Sequence, residues 1–113
     1  MEAKIKIKES DIQKAILEYL QYVGVFAIRL NNIPVPLPGG GFRPVSRKGL
    51  PDLFGVIPSK KGFGIPLFIE IKTPKGKLSE SQEQFMAEAD AAGALCLIAI
   101  SVEFVEQKLK PYL

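Results

Sequence analysis

The sequence predicts an α/β fold, a small mixed β-sheet flanked by helices. Three observations predict it. Two segments carry apolar residues at helical spacing behind Ser-x-x-Gln openings. Apolar stretches of strand length, bounded by glycine and proline, run between and after them. One helix separates the third strand from the fourth, a crossover that calls for parallel pairing. The 113 residues, 47% of them hydrophobic, suit one domain with a real core and no disulfide. There is no internal repeat and no sign of a second domain, so one domain over residues 1–113 is expected.

Each element has its own reason. Ser10-Asp11-Ile12-Gln13 reads as a capping box with Ser10 as N-cap. Ile12, Ile16, Tyr19, Leu20 and Val23 then share one helix face until Gly24 stops it. Val25 to Leu30 reads as a strand, with Phe26, Ile28 and Leu30 on one face and Ala27, Arg29 and Asn31 on the other. Residues 32–51 hold five prolines and four glycines and read as a long loop. Asp52–Ile57 and Leu67–Lys72 are strands joined by a hairpin-like Ser59–Gly64. Ser79-Glu80-Ser81-Gln82 opens a helix to about Ala92, closed by Gly93. Leu95–Ile100 is apolar without alternation, which suits a strand covered on both faces. A short helix from about Glu103 to Lys110 ends the order α-β-β-β-α-β-α.

Composition excludes whole classes of chemistry. Without histidine there is no Ser-His-Asp or Cys-His nucleophile and no imidazole-ligated zinc. Hydrolysis would need carboxylates, lysine and a hard metal ion. The single Cys96 cannot form an internal disulfide and reads as a buried small hydrophobe in a reducing compartment. No apolar run approaches a membrane span, and the first residues do not resemble a signal peptide, so an intracellular location without membrane contact is expected. The net charge of +3 is a weak pointer to a polyanion. Its distribution says more. No acid stands between Glu18 and Asp52, while Arg29, Arg43, Arg47 and Lys48 fall there.

Glu70 and Lys72, two apart on a strand, leave the same face as Phe68, opposite Leu67, Ile69 and Ile71. Alone this pattern equally fits a solvated face with an ion pair. Asp52 at the head of the neighbouring strand changes the weighting. Two acids on adjacent strands can hold one divalent cation, and a lysine beside them can orient a water and offset developing charge.

At these residues the sequence resembles the VRR-NUC domain, a branch of the PD-(D/E)xK nuclease superfamily related to Holliday-junction resolvases and restriction endonucleases. The motifs are Gly49-Leu50-Pro51-Asp52-Leu53, Ile69-Glu70-Ile71-Lys72 and Ser79-Glu80-Ser81-Gln82, and the likeness runs from about Glu9 to Glu106. The short form is similar to phage and bacterial members. The resemblance implies a restriction-endonuclease-like αβββαβ core. It implies Asp52, Glu70 and the Ile71 carbonyl as ligands of Mg²⁺ or Mn²⁺, and Lys72 acting on the attacking water. Gln82 matches a position near the active site and is equally the capping partner of Ser79. An acid of the first helix usually joins the site. Glu9 fits best, with Asp11 and Glu18 as alternatives, and charge placement at a helix N-terminus explains Glu9 as well. Gln13 also matches the pattern.

Arg29 and Asn31 are phosphate contacts or simply a solvated strand face. Arg43, Arg47 and Lys48 lead into Asp52 and suit phosphate contact, with Lys75 and Lys77 extending the track. Phe42 reads as loop packing before base stacking. Gly39-Gly40-Gly41 lacks P-loop spacing. The expected activity is a Mg²⁺- or Mn²⁺-dependent DNA endonuclease leaving 5′-phosphate ends, acting on structured DNA such as a four-way junction. The modest charge suits a homodimer, and the expected place is the cytoplasm of a bacterium or a phage-infected host. The competing readings are a non-catalytic DNA-binding module of the same fold and an accessory subunit of a phage replication or recombination complex.

Overall fold

A computed structural model describes residues 7–30, 35–43 and 47–113. The chain begins with helix α1 (Glu9–Tyr22), followed by strands β1 (Phe26–Arg29), β2 (Val35–Pro36), β3 (Phe42–Arg43), β4 (Leu53–Pro58) and β5 (Gly64–Ile71). Helix α2 (Glu80–Ala91), strand β6 (Leu95–Ala99), helix α3 (Val102–Leu109) and a short 3₁₀ turn (Lys110–Tyr112) complete it. The main sheet has the order β1-β4-β5-β6. Its first three strands pair antiparallel, and β5 and β6 pair parallel across the α2 crossover. The α/β class, the mixed sheet and the parallel crossover are as the sequence predicts.

Alternation along the strands builds two unlike faces. Leu53, Ile57, Leu67, Ile69, Ile71, Leu97 and Ala99 are buried in one cluster with Ile12, Ile16 and Leu20 of α1 and Val105 and Leu109 of α3. Helix α2 lies on the other face, where Phe85 meets Phe68 edge-on at 5.0 Å between centroids. Its capping box is complete. The Ser79 hydroxyl accepts from Gln82 N–H at 3.2 Å, and Gln82 Oε1 accepts from Ser79 N–H at 2.9 Å. Ser79→Ala is expected to cost about 1 kcal/mol and lower Tm by about 4 °C in a thermal melt. No helix among the described residues is long and apolar enough to cross a membrane.

Three expectations need correction. The first helix starts at Glu9 with Lys8 as N-cap, whose carbonyl takes the N–H groups of Asp11 and Ile12 and whose side chain, a donor only, offers no cap. Ser10 is therefore inside the first turn. The 32–51 stretch is not all loop. It holds the antiparallel β2–β3 pair, turned through Gly39, Gly40 and Gly41 at positive φ. In β1, where alternation leaves the inward row open, Ala27 packs on the core and Phe26 and Ile28 are exposed. Finally, β6 is buried on its core face, at Leu97 and Ala99, and only partly covered on the other. Ile98 is exposed and Cys96 is half-buried rather than buried. Burial first, and the nearby Asp90 charge second, still push the Cys96 thiol pKa up, which disfavours a reactive thiolate.

Candidate active site

The site forms where β4 begins and β5 ends. The β1–β4 ladder extends one step past Leu53, with the Asp52 carbonyl accepting from Leu30 N–H at 2.9 Å. The Asp52 side chain is fixed as well, since its Oδ2 accepts the Ile71 N–H at 2.7 Å. Leu53 pairs with Ile69, so Asp52 and Glu70 are the next residues to face each other across the hairpin.

Glu70 is 5% exposed, the one charged residue among the described residues to be buried. Gln82 Nε2 donates to its Oε1 at 3.2 Å, and Lys72 Nζ lies 3.8 Å from the same oxygen. Burial dominates its titration, and the charge of Asp52 and a hydrogen bond between the two carboxyls add to it. Lys72 opposes the shift and Glu9 slightly reinforces it; together they push the Glu70 pKa up to about 8. At neutral pH the metal-free chain therefore favours the protonated form of Glu70.

This donor set fits a hard divalent cation. Two facing carboxylates are the oxygen donors such ions take, and a cation would replace the Glu70 proton as the neutralising charge. The Ile71 peptide, tied to Asp52, lies at the same place. Among the described residues no three acidic or sulfur side chains cluster tightly enough to form a side-chain cage. Water would complete the shell, as is usual for Mg²⁺.

A cavity of about 190 Å³ opens beside the pair, lined by Glu9, Ser10, Gln13, Asp52 and Ile71. Of the three acids on the first helix considered from sequence, Glu9 is the one that lines this cavity. Ser10 lines it too. Sequence reading assigned Ser10 to a cap, and only its release from that role puts it here. Gln82 holds both of its positions at once, with one end of the amide in the α2 cap and the other on Glu70.

The basic residues are distributed unequally. Lys48 is exposed next to Gly49, and Lys75 and Lys77 are exposed on the segment between β5 and α2. Arg47 is committed elsewhere: it pairs with Glu88 of α2 and lies over the Phe85 ring. Arg29 is exposed in the row of Leu53 and Ile69, on the opposite side of the sheet from Glu70. Asn31 and the Arg43 side chain lie outside the described residues. Phe42 is exposed.

The profile of the VRR-NUC domain matches residues 7–103. A solved structure titled "VRR_NUC domain" superposes with a TM-score of 0.68 at 23% identity, covering 96% of this chain and all of that one. A second, titled "VRR_NUC domain protein", gives 0.62 at 16% identity over 97% of this chain and 91% of its own. Identities this low establish a shared fold. Among curated proteins there is no match. The profile spans the Asp52–Glu70–Lys72 site and all but the ends of the chain, and on that ground the chain belongs to the VRR-NUC domain family of nuclease-like proteins.

Proposed function

We propose that this protein is a Mg²⁺- or Mn²⁺-dependent endonuclease that hydrolyses DNA phosphodiester bonds. One observation carries the reading. Asp52 and Glu70 are held face to face, with the buried Glu70 made so reluctant to ionise that a cation is the natural partner of the charged pair. A binding module has no use for buried acids turned toward a polyanion. A bound divalent cation would supply neutralising charge to the scissile phosphate and a water of lowered pKa.

The chain's own residues divide the remaining work. Asp52, Glu70 and the Ile71 carbonyl would hold the cation, with Glu9 on the cavity wall. Gln82 fixes the Glu70 carboxyl through a hydrogen bond that the helix cap itself orients. Lys72 Nζ stands on the Glu70 side of the site, where it can orient the attacking water and offset charge on the phosphate. Lys48, Lys75 and Lys77 offer phosphate contacts around it. The products would carry 5′-phosphate and 3′-hydroxyl ends. The preferred substrate would be branched DNA such as a four-way junction, cut by a homodimer presenting two sites.

The test is cleavage of labelled four-way junction, flap and linear duplex with Mg²⁺, Mn²⁺ or EDTA. Cutting is expected with either metal and not with EDTA. Lys72→Ala is expected to slow it about a hundredfold with little change in DNA affinity. Cutting that persists in EDTA, or binding without cutting under every metal, would sink the proposal.

A further inference from the structure

The strap from Arg47 to Asp52 touches α2 twice. At its start the Arg47 guanidinium lies 5.1 Å from the Phe85 ring centroid and pairs with Glu88. Two residues on, Gly49 takes φ +83° and passes so close that a Cβ there would fall on the backbone of Ser81 and Gln82. The strap then enters the core at the buried Pro51 and delivers Asp52. From the other side, α2 reaches Glu70 through Gln82. Both carboxylates of the site are thus referenced to one helix, Asp52 through the strap and Glu70 through Gln82.

An arginine in an acid-free loop leading to a nuclease site would ordinarily be assigned to phosphate. Arg47 does not fit that role. Its charge is met by Glu88 and its flat face by Phe85, two contacts that a planar guanidinium makes together and an ammonium does not. We infer that Arg47 is a positioning residue that fastens the strap to α2 and so sets Asp52 against Glu70, leaving phosphate contact to its neighbours. The inference rests on the nuclease reading above, and its test separates the two.

Mn²⁺ is titrated into Arg47→Ala, Glu88→Ala, the double alanine variant and the charge swap Arg47→Glu with Glu88→Arg. Three quantities are read: the metal-induced rise in Tm without DNA, the single-turnover cleavage rate, and DNA affinity against salt. Each single variant is expected to raise the half-maximal metal concentration about threefold to fivefold, the size of a half-exposed ion pair with a ring contact. The double variant is expected to be no worse than the poorer single, and the swap to recover most of the loss. DNA affinity and its salt slope should not change. The inference is overturned if Arg47→Ala weakens DNA binding and flattens the salt slope by about one contact while Glu88→Ala tightens binding. It is equally overturned if neither single variant moves the metal midpoint. An unaltered chain that cuts no DNA, yet shows a metal shift sensitive to the pair, counts against the nuclease reading alone.

Discussion

Glu70→Gln is expected to abolish measurable cleavage, a loss of about a thousandfold or more, while making the metal-free protein more stable at alkaline pH. On the proposed mechanism the first effect follows from removing one of two charged ligands of a cation that would offset several kcal/mol of transition-state charge. The second follows from burial. In the folded, metal-free chain Glu70 keeps its proton up to about pH 8, whereas an unfolded chain releases it near the ordinary 4.5. Between those values the native state binds more protons, so its stability falls as pH rises through that window. The glutamine variant is neutral throughout and escapes the decline, while its side-chain oxygen can still accept the hydrogen bond from Gln82. Thermal melts in EDTA from pH 5 to 8.5 should show the two proteins diverging upward in pH. Parallel curves would mean that Glu70 is not held protonated. A residue that lowers stability where it serves chemistry is what a functional site is expected to contain.

Gly49→Ala is the second large effect expected. The position combines φ +83° with backbone contact, so the new methyl meets both local strain and the peptide of Ser81 and Gln82. The strap must lift from α2, at a cost of about 2–3 kcal/mol and about 10 °C in Tm. Lifting also shifts Asp52 relative to Glu70, and cleavage should fall about a hundredfold even well below the melting range. Gly62→Ala is the control. Gly62 has φ +90° with nothing within 4 Å of an added Cβ, so it carries the strain without the collision. It should cost about 1 kcal/mol and leave activity intact. Equal behaviour of the two variants would remove the packing argument.

The readable parts of this molecule were those governed by local rules. Helix α2 and its cap follow from Ser79 and Gln82 alone, and both capping bonds form. The facing of Asp52 and Glu70 follows from two strands, a short hairpin and the period of two. The unread parts depend on which neighbour arrives from a distance. Ser10 has the chemistry of a cap, but the Lys8 carbonyl serves the first turn and leaves Ser10 to the cavity. In β1 alternation cannot say which row faces inward, and on an edge strand the small Ala27 takes the core side. The pairing of Arg47 with Glu88 is not visible in the sequence, since the two stand 41 residues apart. Glu9 could be separated from Asp11 and Glu18 only once α1 was set against the sheet.

The facing carboxyls of Asp52 and Glu70 are proposed to bind a divalent cation that displaces the Glu70 proton. Calorimetric titration of Mn²⁺ into the metal-free protein at pH 7, in two buffers of different ionisation enthalpy, tests it most directly. Binding at one site with release of about one proton per cation is the expected result, together with loss of both in Glu70→Gln. Binding that releases no proton, or that survives Glu70→Gln unchanged, would contradict it.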